Sequence, residues 1–170
     1  MTNILVAYAS WKGTSQEVAA EIAGILREQG AQVDLEAAGK MRSVEGYDGV
    51  VLGASVRMGR PNSAAIAFLR RHVAKLASIP TALFIVCMTM KDCTEENIKT
   101  AESYMDKLKT AAPAVKPMAE GLFAGQMVPE VFPWPASKLI TREAMGDAGD
   151  YRDWEAIRAW AAGLAAKLAG

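Results

Sequence analysis

The chain has 170 residues, 51% of them hydrophobic, and its 19 Lys+Arg balance its 19 Asp+Glu. That length reads as a single domain, residues 1–170, with one core. Charge balance excludes the basic footprint of a nucleic-acid binder and the strong acidity of a protein steered to basic partners. No apolar run approaches the ~18 residues needed to cross a bilayer. An apolar run begins at residue 3 and leaves no room for a charged leader, so the expected location is cytoplasmic. Cys87 and Cys93, in the spacing C-x5-C, match no zinc or redox motif and read as reduced, unpaired thiols.

In chain order, Asn3–Ser10 (NILVAYAS) is predicted to be a buried parallel strand. Thr14–Gln29 places Val18, Ile22, Ile25 and Leu26 at helical spacing, with Gly30 as the stop. Gln32–Ala37 and Asp48–Ala54 read as strands. Ser63–Leu76 is a predicted helix with Ile66, Leu69, Val73 and Leu76 inward. Pro80–Met88 is the most apolar strand, and Thr94–Lys109 is a helix burying Ile98, Ala101, Met105 and Leu108. Val115–Phe123, interrupted by Pro117, reads as the last strand. Residues 124–149 break the pattern with Pro129, Pro133 and Pro135 around Phe132 and Trp134. Tyr151–Leu168 closes the chain as a helix, with Asp150 as its expected N-cap.

Strands alternating with helices predict an α/β fold, a doubly wound, five-stranded parallel sheet. Right-handed crossovers give the order 2-1-3-4-5. A ligand then sits at the carboxyl ends of the strands, among the loops after strands 1, 3 and 4.

The first loop, Ser10-Trp11-Lys12-Gly13-Thr14-Ser15, leads into the first helix. Amides there lack intrahelical partners, and the helix dipole adds positive potential, which together make an anion site. Ser10, Thr14 and Ser15 carry hydroxyls that can donate to phosphate. Gly13 permits a positive φ and a close backbone approach. Lys12 adds charge, and Trp11 can lie over the ligand. The same residues also suit an ordinary capped turn. The loop is neither G-x-G-x-x-G nor G-x-x-x-x-G-K-[ST], so a dinucleotide or a nucleoside triphosphate fits poorly. A phosphomonoester such as the tail of FMN fits better.

The spacing S-x-K-G-T-S resembles the T-x-T-G-x-T phosphate loop of flavodoxins, with Lys12 in place of the usual Thr. That resemblance implies a flavodoxin-like fold with FMN as cofactor. It gives the second loop, Ala54-Ser55-Val56-Arg57-Met58-Gly59-Arg60-Pro61, the task of covering the isoalloxazine. Met58 is the expected ring contact, its thioether suited to an aromatic face; it reads equally as a gap-filling residue. In the third loop, backbone amides of Met88, Thr89 and Met90 are expected at the flavin's pyrimidine edge. A plain strand-to-helix turn capped by Thr94 is the alternative.

Arg57, Arg60 and Lys91, against Asp92, give the expected rim a positive balance. A charge pair at ~5 Å and an effective dielectric of ~20 is worth up to ~3 kcal/mol, less when solvated. Cations favour the anionic reduced flavin, and so two-electron chemistry on a substrate over low-potential electron carriage. Both arginines could also lie in solvent. His72, the lone histidine, reads as structural, with no metal cluster around it. Trp154 and Trp160 read as packing residues, and Lys40–Arg42 as a solvated loop.

The segments G-A-S-V-R-M-G-R, F-L-R-R-H-V-A-K-L and G-D-Y-R-D-W-E-A-I-R-A-W are similar to the menaquinone-dependent protoporphyrinogen dehydrogenase family. That family carries an insertion near the last strand, where residues 124–149 fall. The resemblance implies FMN-dependent oxidation of protoporphyrinogen IX, a heme-biosynthetic reaction, with a quinone as acceptor. Arg57 and Arg60 then receive substrate carboxylates, and residues 124–149 cover the substrate, touch a membrane surface or pack on a second subunit of a homodimer. The alternative is a flavodoxin-type carrier shuttling electrons between redox partner proteins, marked by a low potential. An NAD(P)H-dependent quinone reductase would need a nicotinamide surface, which the sequence does not show.

Overall fold

The computed structural model describes residues 1–127 and 149–169. β1 (Asn3–Ala9), β2 (Gln32–Ala37), β3 (Gly49–Arg57), β5 (Thr81–Cys87) and β6 (Ala119–Ala124) form a parallel sheet in the order β2-β1-β3-β5-β6. Counting only these five strands in chain order, that is the expected 2-1-3-4-5. β4 (Arg60–Pro61) turns back antiparallel on the end of β3.

Both faces of the sheet are covered, so its strands are apolar without interruption. Strand alternation divides the core in two. Leu5, Ala7, Leu52, Leu83 and Ile85 face one cluster, which Phe68, Leu69, Met105 and Leu108 complete from the helices. These come from α2 (Ser63–Arg71) and α4 (Glu95–Lys109), while Leu76 adds α3 (Val73–Leu76). Ile4, Val6, Val51, Phe84 and Val86 face the other cluster, against α1 (Thr14–Glu28) and α5 (Trp154–Leu168). An Arg158–Glu21 ion pair adds to the α1–α5 contact.

Gly53, Phe84 and Gly121 are aligned across three neighbouring strands. The Phe84 ring fills the space at Gly53, and the Phe123 ring the space at Gly121. A Cβ on Gly53 would lie 2.0 Å from Phe84 Cζ, and one on Gly121 2.8 Å from Phe123. Trp160 meets Phe84 and Phe123 edge-on at centroid distances of 6.0 and 5.5 Å, and its indole N–H donates to the Glu120 carbonyl.

Several boundaries depart from the expectation. β3 runs on to Arg57 and turns through Met58 and Gly59 into β4, so Ser55, Val56 and Arg57 belong to a strand rather than a loop. The last parallel strand begins at Ala119, leaving Pro117 outside the ladder where its missing N–H costs nothing. The final helix begins at Trp154, capped by Asp153 accepting from the Ala156 amide; Asp150 instead lies in β8 (Gly149–Asp150). The expected Ser63–Leu76 helix divides at His72, which ends α2.

His72 is buried against Phe68 with a centroid distance of 4.8 Å, and its Nε2 has no partner. Burial lowers its pKa below the ordinary 6.5, opposed by a hydrogen bond to the Met41 backbone and helped by nearby Arg71. Below pH 6.5 the unfolded chain takes up a proton that the folded chain resists. Stability attributable to this group is therefore complete above that value, and declines as the pH falls toward the lowered folded pKa. A His72→Phe variant is expected to show a shallower loss of Tm between about pH 7 and pH 5 than the parent, and parallel curves would remove His72 from this account. Gly53→Ala is expected to cost about 3 kcal/mol, read as a fall in Tm of roughly 6–12 °C by calorimetry.

Candidate functional site

The carboxyl ends of β1, β3, β5 and β6 meet at a cleft of about 520 Å³ of open space, solvent included. The β1–α1 turn supplies Ser10, Trp11, Lys12 and Thr14 to its wall. β3 supplies Ser55, Val56 and Arg57, and the end of β5 supplies Val86, Cys87 and Met88. The fourth wall, Gly125, Gln126 and Met127, follows β6.

The β1–α1 turn is built to leave donors exposed. Gly13 sits at φ +87°, a left-handed conformation that glycine adopts without strain, and it precedes the first residue of α1. Ser10 Oγ accepts from the Gly13 amide at 2.9 Å, which fixes the turn while its own O–H stays available to donate. No side chain caps α1, so the amides of its first turn lack the usual internal acceptor. Ser15 is fully buried, and its Oγ has no hydrogen-bond partner. An orphaned buried hydroxyl costs about 1–3 kcal/mol. Ser15 lies in the first turn of this uncapped helix, behind Ser10, Lys12 and Thr14, which line the cleft while Ser15 does not.

Ser55 Oγ donates to the Ala9 carbonyl at 3.1 Å and ties β3 to β1 beside the β1–α1 turn. The Arg57 guanidinium stacks on Trp11, 4.6 Å from the ring centroid. Arg57 and Arg60 are directly opposed across the β3–β4 hairpin, which puts both side chains on one face of the ribbon.

Met58 falls elsewhere than expected. It occupies the hairpin tip at φ +53°, is 72% exposed, and does not line the cleft. Positive φ at both Met58 and Gly59 is the signature of a tight two-residue hairpin, and that turn aims the thioether outward. Lys107 holds the tip by donating to the Gly59 carbonyl at 2.8 Å. Ala54 is buried in the core beneath the cleft.

Residues Met88–Lys91 form a single 3-10 turn. Burial, opposed by the neighbouring Met90 and Thr89 backbone, pushes the Cys87 pKa up to about 11, keeping it a neutral thiol. Lys91 lies over the Tyr151 ring at 4.7 Å.

The sequence reading missed the wall after β6, although a carboxyl-end loop of the fifth strand lies where such folds bind ligands. It also missed Val86 and Cys87, which read as core. Residues 128–148, with Phe132 and Trp134, lie outside the described residues; their flanks, β7 (Gln126–Met127) and β8, pair antiparallel at the cleft's edge. Among the described residues, no group of three or more His, Cys, Asp or Glu could hold a metal, and no helix is long and apolar enough to cross a membrane.

A doubly wound parallel sheet in this strand order, with its cleft at the carboxyl ends of the strands, defines a flavodoxin-like fold. Solved structures agree. A short-chain flavodoxin associated with a bacterial microcompartment superposes with a TM-score of 0.62 at 16% identity, covering 100% of both chains. A flavodoxin from the domain Archaea gives 0.60 at 13%, covering 99% of this chain and 100% of that one. The flavodoxin domain family model matches residues 5–153, and the chain belongs to that family. It is 28% identical to a protoporphyrinogen IX dehydrogenase (quinone) of Escherichia coli K12, over 95% of this chain and 93% of the relative. A Leishmania major protein of the same name is 30% identical over 71% of this chain and 54% of its own length.

With no ligand present, Ser15→Ala removes an orphaned polar atom and nothing else. It is expected to leave the ligand-free protein equally stable or up to about 1 kcal/mol more stable in urea denaturation. A loss of stability would mean that the hydroxyl has an internal partner after all.

Proposed function

We propose that the chain holds FMN in this cleft and oxidises protoporphyrinogen IX, or a similar reduced substrate, by two electrons, with a quinone as acceptor. The Ser15 hydroxyl is the observation that carries the cofactor reading. It is fully buried, partnerless and set among the free amides of an uncapped helix turn. A phosphomonoester dianion supplies the acceptors that these donors lack.

Ser10, Thr14 and Ser15 would hold the phosphate with hydroxyl donors, and Gly13 lets the backbone come close. Lys12, exposed beside the cradle, adds charge from outside. The apolar end of the cleft, at Val56, Val86 and Met88 beside Trp11, suits a flat aromatic ring. FMN would supply hydride acceptance and onward delivery of the electrons. Cys87, held as a neutral thiol, presents no anion to the reduced ring.

Arg57, stacked on Trp11, sits at the rim with Arg60 opposite. Both can receive carboxylates of an anionic substrate, with Arg57 in the wall itself. The substrate and acceptor rest on the E. coli relative, which matches 95% of the chain.

Titration of the purified chain with FMN is expected to reach 1:1 binding with quenched flavin fluorescence. Ser15→Ala should weaken that binding about five- to tenfold. Anaerobic turnover of protoporphyrinogen with a menaquinone analogue should then be measurable, and Arg57→Ala should raise KM about ten- to a hundredfold. FMN binding without any porphyrinogen turnover would make the protein an electron carrier instead.

A further inference from the structure

Arg152 is charged, yet its side chain is only 5% exposed, because it is surrounded by partners from four elements. It pairs with Glu17 in the first turn of α1. It also pairs with Asp150 of β8, at 2.7 Å from Nη2 and 2.8 Å from Nε. The guanidinium lies 4.7 Å from the Trp154 ring centroid at the start of α5. Its fourth partner is Gln126 of β7, whose Oε1 accepts from Nη2 at 3.4 Å.

Gln126 is the polar side chain of the wall that follows β6. It stands opposite Asp150 across the β7–β8 pair, and both reach the same guanidinium. An arginine has donors only, so the end of the amide facing it must be the oxygen. The NH2 end is left as the donor for whatever enters the cleft. Its place along the cleft is set by Gly125. A Cβ there would lie 3.2 Å from Val86, 3.7 Å from Met88 Sδ and 3.9 Å from Thr14 Cγ2. The chain at this point is therefore wedged between the cradle and the loop after β5.

We propose that Gln126 is a binding residue for the polyol chain joining the phosphate to the ring, and that Arg152 is the positioning residue that orients its amide. The assignment rests on the flavin reading of the cleft. A hydroxyl on the polyol accepts from the Gln126 NH2. Arg152 touches no ligand; it acts by holding the oxygen end of the amide and by pinning β7 and β8 to α1. Asp150, its pKa lowered chiefly by its hydrogen bond from Arg152, stays ionised and keeps the guanidinium in place.

The test compares flavin dissociation constants by fluorescence quenching for the parent, Gln126→Leu, Arg152→Lys, Arg152→Met and the Gln126→Leu/Arg152→Met double variant, with thermal melts alongside. Gln126→Leu is expected to raise the FMN constant about five- to tenfold. Arg152→Met should do the same, the double variant should be no worse than the larger single change, and Arg152→Lys should recover part of the loss. Riboflavin, which keeps the polyol, should show the Gln126→Leu loss; lumiflavin, which lacks it, should not. If Arg152→Met does not fold, Gln126→Leu and Arg152→Lys carry the test. Parent-like FMN affinity in Gln126→Leu overturns the assignment, as does an equal loss with lumiflavin, or an Arg152 variant that lowers Tm with unchanged affinity. A parent chain that binds no FMN overturns the flavin reading itself, and this assignment with it.

Discussion

Everything in this molecule follows from a parallel sheet buried on both faces. Such a sheet leaves no polar surface on its flanks, so any polar ligand must be met at the strand ends. The register β2-β1-β3-β5-β6 brings the carboxyl ends of β1 and β3 side by side, and Ser55 locks them together through the Ala9 carbonyl. The turn after β1 then enters α1 through Gly13, whose left-handed backbone leaves the first helical amides facing outward. An uncapped helix end is a weakness in a structural protein and a resource in a binding one.

The same economy explains the cost stored around the cleft. Ser15 is buried without a partner and Met58 holds a positive φ. Each is unfavourable taken alone. Ser15 follows β1 and Met58 follows β3. At the sheet's middle, by contrast, Gly53 and Gly121 give up side chains so that Phe84 and Phe123 can pack over them without strain. Order in the centre supports local frustration at the edge.

The segment after β6 joins this arrangement through Arg152. A single guanidinium links α1, the β7–β8 pair and the final helix. Removing one partner from such a cluster would strand buried charge. The β7–β8 pair is thereby tied to α1 and α5.

Apolar runs at NILVAYAS and PTALFIVCM, the helical spacing of Met105 and Leu108, and the loop S-W-K-G-T-S made the sheet order and the β1–α1 turn legible from the sequence. These are local signals: two-residue and 3.6-residue periods, and turn chemistry. Other features depend on partners far along the chain. Whether β3 stops at Ala54 or runs to Arg57 is decided by the hairpin with Arg60. Met58 is aimed outward by that hairpin and by Lys107 of α4. Cys87 and Gln126 become cleft residues only because β5 and β6 lie next to each other in the sheet. By itself, then, the sequence determined the main strands and helices, the order of the sheet and the turn that enters the first helix, because periodicity and turn residues act within a few positions. Only the tertiary structure decided which side chains share the cleft and where Arg152 finds its partners, because those contacts join residues as far apart as Glu17 and Arg152, and no local pattern records them.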